Sequence, residues 1–169
     1  MKPNRGFTLI EILIVVALIG ALFLGILATV DPLEQLKKGS DTARRNLSSQ
    51  LYNGFLQYYA AQNAFPWTVD LSGLSGTANA VTVANVGYIP TAIAVGEFKA
   101  DFINLAGGNL AKIFLTSTAD TLGLRQNLAS CFLPDSKAFR VDPNAKYGID
   151  GVVSSGCSVA APCYWCIKN

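Results

Sequence analysis

The residues able to do chemistry in this 169-residue chain are few and unevenly placed. Cysteine occurs at 131, 157, 163 and 166, all in the last quarter, and histidine is absent. Without histidine the chain lacks the commonest general base and the commonest metal ligand. Three uses of the cysteines compete. They could close two structural disulfides, which stabilise a small sheet domain by about 2–4 kcal/mol each. Cys163-x-x-Cys166 has the spacing of a thiol-exchange pair, but that pair belongs at a helix start in a βαβ setting, and here it lies three residues from the end. A four-cysteine zinc site needs a second close pair, which Cys131 and Cys157 do not form. Structural disulfides are therefore expected. Of the three pairings open to four cysteines, sequence neighbours are preferred: Cys131 with Cys157, and Cys163 with Cys166. Asp142, Asn144 and Asp150 offer oxygen ligands, but their spacing matches no calcium loop, and they read as turn residues.

The other chemically unusual residue is Glu11, near the start of an apolar run. From residue 12 to residue 30 nothing is charged, a length close to the roughly 20 residues that span a bilayer as a helix. Lys2 and Arg5 precede the run, and the positive-inside rule keeps them cytoplasmic. Without them 11 basic residues face 11 acidic ones, so no global basic field remains to attract nucleic acid. The basic head resembles an export signal, yet no small-residue cleavage site follows the apolar run. A plain transmembrane anchor fits poorly as well, because a carboxylate at a membrane helix centre costs about 2.5–3.5 kcal/mol. Near the helix end a snorkelling acid is the plain alternative.

Lys2 and Arg5, then Gly6-Phe7-Thr8-Leu9-Ile10-Glu11, then the uninterrupted apolar stretch, resemble the class III signal of type IV pilins and type II secretion pseudopilins. The resemblance covers about 25 residues of the chain. It implies cleavage by a prepilin peptidase between Gly6 and Phe7, N-methylation of Phe7, and retention of the apolar segment. That segment would hold the subunit in the cytoplasmic membrane as a single pass. After assembly by inner-membrane machinery it would line the core of a homo-oligomeric, extracytoplasmic or cell-surface filament. Glu11 falls at the fifth mature position, where the family keeps a glutamate, and is expected to pair with the Phe7 amino group of a neighbour.

The elements that position these residues follow from the pattern. Asp31-Pro32 predicts a kink or short break at Pro32, with Asp31 capping a new helix. Leu33, Leu36, Leu47, Leu51, Phe55, Tyr58 and Tyr59 then recur at helical steps, with Lys37, Lys38, Asp41, Arg44 and Arg45 on the polar side. The cations there read as a solvated face rather than a phosphate site. Gly39 and Gly54 each weaken a helix by about 1 kcal/mol relative to Ala, and Gly39 is a possible bend. From Phe7 to Asn63 the helix would extend roughly 85 Å at about 1.5 Å per residue. A segment rich in aromatics, 51–66, resembles the pseudopilin helix end, and Pro66 is expected to terminate it.

Beyond Pro66 short β-rich runs alternate with turn residues. Residues 80–88 read as extended or loop, and 95–106 as a short helix ending at Gly107-Gly108. Strands are expected at 111–117, 129–133 and 138–141, the last two joined by a hairpin-type turn at 134–137, and at 147–153. The terminal cysteine segment would be strapped to the sheet.

The expected fold is α+β: a long N-terminal helix whose apolar half protrudes, with a small antiparallel β-sheet of about three to five strands packed on its second half. The expected divisions are a leader at 1–6, an apolar helix at 7–30, its amphipathic continuation at 31–65 and a β-rich head at 66–169. The expected function is structural, with no enzymatic activity, no cofactor and no metal. Whether the filament is a pilus or a pseudopilus stays open. The alternative is a membrane-anchored extracytoplasmic binding module that does not polymerise.

Overall fold

A computed structural model describes residues 6–29, 31–67, 77–79, 84–85, 87–118, 127–157 and 162–168. Of the extended or loop segment expected over 80–88, residues 80–83 and 86 lie outside the described residues, while 84–85 are helical and Tyr88 begins a further helix. The chain divides into two compact units, Met1–Gln35 and Leu36–Asn169.

The first unit contains helix α1, Leu9–Thr29. Its described side chains as far as Ile26 are all exposed. Helix α2, Pro32–Gln62, starts as expected: the Asp31 carboxylate accepts from the N–H groups of Leu33 and Glu34 at 3.1 and 3.2 Å. Proline at the first helical position loses no bond, because its missing donor would have been an orphan. The helix runs without a break through Gly39. It stops before Pro66: Asn63 adopts the left-handed conformation (φ 54°), and its N–H closes on the Tyr59 carbonyl. Asparagine tolerates that conformation, so it ends the helix ahead of the proline.

The second unit is the head. After β1, Thr77–Asn79, come helices α3, Tyr88–Ala94, and α4, Phe102–Ala106, and a 3-10 turn over Gly107–Lys112. Then follow β2, Ile113–Thr118, β3, Asn127–Phe132, a short helix α5, Lys137–Arg140, β4, Ala145–Tyr147, and β5, Tyr164–Lys168. Among the described residues the sheet is five-stranded and antiparallel, in the order β1-β2-β3-β5-β4. The terminal cysteine segment is thus more than a strap: it is β5, inserted between β3 and β4.

Alternation along the strands sorts the side chains. Ile113, Leu115, Leu128, Phe132 and Trp165 point into the main core with Leu47, Leu51 and Phe55 of α2. The other face carries a smaller cluster, Ala129, Cys131, Cys166 and Tyr147. Phe55 sits at the centre of the core, its ring 5.0 Å from Trp67 and 5.3 Å from Phe98. The α+β class and the sheet packed on an amphipathic helix are as expected. The buried stripe of α2, however, begins at Asp41, and Leu33 and Leu36 are exposed.

Three expectations fail for local reasons. The strand expected at 147–153 stops at Tyr147, where β4 ends, and the chain turns back with the Gly148 N–H closing on the Val152 carbonyl. Residues 138–141 do not form a strand. The Ser136 side chain accepts from the Phe139 N–H and caps α5, turning Phe139 into the core. The 134–137 segment is therefore a loop onto a helix and not a hairpin. The helix expected over 95–106 is confined to its second half, α4.

The polar side expected at Asp41 and Arg44 is buried as well. Asp41 is fully buried, and its carboxylate accepts the N–H of Asp135 at 3.1 Å and that of Ser136 at 2.7 Å. Arg44 bridges Asp41 at 3.2 Å and Asp135 at 2.7 Å. Arg45 lies over the Trp165 ring, 5.4 Å from its centre. Two of the four cations read as a solvated face are thus engaged with the head.

The disulfides join Cys131 to Cys166 and Cys157 to Cys163. This corrects the preferred pairing of sequence neighbours. Cys131 and Cys166 stand directly opposite in the β3–β5 register, a proximity set by the insertion of β5. Asp142 and Asp150 serve their own turns, accepting from the N–H groups of Asn144 and Val152, and Asp142 also accepts the Trp165 indole N–H.

Four outcomes follow from this packing. A methyl group at Gly54 would clash with the Phe98 ring. Gly54→Ala should therefore destabilise the head by about 1–3 kcal/mol despite its better helix propensity, in denaturant melts followed by circular dichroism. Asp41→Ala strips the buried Ser136 N–H, the part-buried Asp135 N–H and the Arg44 guanidinium of their acceptor and should cost about 3–5 kcal/mol. Asp135→Asn, at a half-exposed carboxylate, should cost about 1 kcal/mol or less in the same assay. In a non-reduced digest cut at Tyr164 or Trp165, mass spectrometry should find the Cys131 peptide linked to the Cys166 peptide, and Cys157 closed on Cys163 within a single peptide.

Candidate processing and assembly site

Gly6, Phe7 and Glu11 lie together at the start of α1. Lys2 and Arg5 lie outside the described residues. Gly6 is exposed and has open space around its Cα. A small, accessible residue before an exposed Phe7 is a peptide bond that a protease can reach. Helix α1 begins two residues later, at Leu9.

The helix start is capped by a reciprocal pair. Glu11 accepts from the Thr8 backbone N–H at 3.0 Å and from Thr8 Oγ1 at 2.9 Å. Thr8 Oγ1 in turn accepts from the Glu11 N–H at 3.3 Å. This is a capping box, with Thr8 at the cap and Glu11 three residues on. It places the carboxylate at the positive end of the helix dipole, where negative charge is favoured. Thr8 is a site residue missed above, although the Thr8-x-x-Glu11 spacing was legible as a capping box.

Beyond the cap, α1 is apolar all round. Among the described residues it is the one helix long and apolar enough to cross a membrane, over Leu9–Ile26. Phe7, Leu9, Ile12, Leu13 and Val16 line a shallow apolar surface beside the capping box. A helix with no polar face gains nothing from lying on a water-exposed surface, and it needs lipid or other helices around it. Pro32 marks the first turn of α2. Of the expected site residues, the structure brings together Gly6, Phe7 and Glu11, and separately the four cysteines in their two pairs.

The prokaryotic N-terminal methylation motif matches residues 1–27. No curated protein and no solved structure matches the chain. The motif spans the basic head, the Gly6–Phe7 bond, the Thr8–Glu11 cap and most of α1. The chain thus bears the class III prepilin signal that type IV pilins and type II secretion pseudopilins carry.

Proposed function

We propose that this chain is a structural filament subunit, cut between Gly6 and Phe7, methylated on the Phe7 amine, and polymerised through α1 into a type IV pilus or a type II secretion pseudopilus. The observation that carries the reading is an apolar helix, exposed along its described length, that opens on one carboxylate within a methylation motif. Its partners are a prepilin peptidase, the inner-membrane assembly machinery and further copies of itself. The subunit waits in the cytoplasmic membrane and ends in an extracytoplasmic filament.

The chemistry of assembly turns on Glu11. Cleavage creates a cationic amine at Phe7, at the positive end of the helix dipole, where added positive charge is poorly placed. In the isolated subunit Thr8 supplies donors to the Glu11 carboxylate but no charge. Among packed apolar helices, where water is excluded, the Phe7 amine of a neighbour supplies that charge. A lone buried carboxylate is penalised and a paired one is not, so the pair selects one axial register.

Mature material should begin at Phe7 and be heavier by one methyl group, as read by intact mass and N-terminal sequencing. A mature chain still beginning at Met1, with no self-association, would favour a membrane-anchored binding module instead. Glu11→Ala should be cut normally yet give about tenfold less filament, the effect of losing about 1.4 kcal/mol. Undiminished filament from that variant would refute the pairing.

A further inference from the structure

The basic excess of the head is concentrated at one end. From Leu36 onward eleven cations face eight acids. Over residues 36–45 and 133–142 six cations face three acids, and over the rest of the head five face five. The two stretches meet in space. The Asp41 carboxylate on α2 accepts the N–H groups of Asp135 and Ser136, and Ser136 caps α5. Lys37 and Lys38 lie four and three residues before Asp41, one turn nearer the α2 start and on the same side of the helix. Lys137, Arg140 and Val141 likewise share the side of α5 that faces away from the buried Phe139.

The acids of this end are turned inward. Asp41 is fully buried, Asp135 is bridged by Arg44, and Asp142 accepts the Trp165 indole N–H. Asp31 and Glu34 precede this end, and the Asp31 carboxylate is held by the α2 N–H groups that it caps. Lys37, Lys38, Lys137 and Arg140 are all exposed. Apolar side chains stand out among them: Leu36 is 72% exposed and Val141 81%. Cations mixed with exposed apolar side chains suit the boundary between lipid headgroups and acyl chains, where long basic stems lie along apolar surface.

Chain length puts a bilayer within reach. The stretch of α1 long and apolar enough to cross a membrane runs to Ile26, and no charge follows before Asp31. Lys37 lies seven residues past Val30, a tether of at most about 25 Å even when fully extended. We infer that the α2 start and the α5 loop form a surface that rests on anionic phospholipid headgroups while α1 is embedded. Each Lys or Arg near an anionic leaflet adds to the attraction, and salt screens it. The surface orients the waiting head and is given up when the subunit leaves the bilayer. The inference rests on the membrane-anchored stage of the reading above.

The test places the full chain, carrying Val141→benzoylphenylalanine, in nanodiscs of either phosphatidylglycerol or phosphatidylcholine. Illumination fixes the molecule that touches position 141, and intact mass identifies it. The expected product is a lipid adduct, about tenfold more abundant in phosphatidylglycerol and lost there at high salt. A chain that enters the discs but gives no lipid adduct, or equal amounts with both lipids, overturns the surface and leaves the anchoring reading intact. Adducts to a second copy of the chain in place of lipid assign the surface to subunit contact and overturn it as well. A chain that does not enter the discs overturns both. As a second arm, Lys37→Glu combined with Lys38→Glu should cut the phosphatidylglycerol adduct about tenfold, with both disulfides and the circular dichroism of the chain retained. An unchanged adduct from that folded variant overturns the surface.

Discussion

A carboxylate with no access to water organises the head. Asp41 lies on α2, and it holds the backbone of Asp135 and Ser136 just beyond β3. Hydrogen bonds to a charged group contribute about 1.5–3 kcal/mol each, and a buried charge left without them is severely penalised. This gives α2 and the end of β3 one permitted register. Arg44 completes the site by bridging Asp41 to Asp135. With the loop so held, Ser136 caps α5 and Phe139 enters the core. Leu47, Leu51 and Phe55, farther along the same helix, then meet the sheet.

The two units answer different solvents. The head hides its apolar surface within itself: one sheet face lies on α2, and the other is covered in part by the turn that carries Gly151. As far as Ile26, the described side chains of helix α1 are all exposed, and beyond Glu11 they are apolar on every side. The one charge in its first turn is drawn back onto its own cap by Thr8. A single chain thus combines a head that covers its own core with an apolar helix that needs lipid or other helices around it.

Where the reading of residues went astray, the cause was tertiary. Asp41 and Arg44, three apart on a helix, have the composition of a solvated face, and nothing local distinguishes them from Lys37 and Lys38. Their burial depends on a loop some ninety residues away in sequence. Residues 138–141 have strand-like composition, but one serine hydroxyl at their start decided for helix. Gly54 looked like a weakness in α2, yet it makes room for the Phe98 ring.

The sequence alone determined the local, periodic features: the processing motif, the apolar length of α1, the Asp31-Pro32 start of α2, the amphipathic stripe through Leu47, Leu51 and Phe55, and the α+β class. Each depends on residues a few positions apart, so their chemistry is legible in order. The tertiary structure decided the strand order and, with it, the cysteines. Pairing by proximity in sequence would join Cys163 to Cys166, but inserting β5 beside β3 sets Cys166 opposite Cys131 and leaves Cys163 to Cys157. Long-range register is set by what the whole core can bury, and no local pattern encodes it.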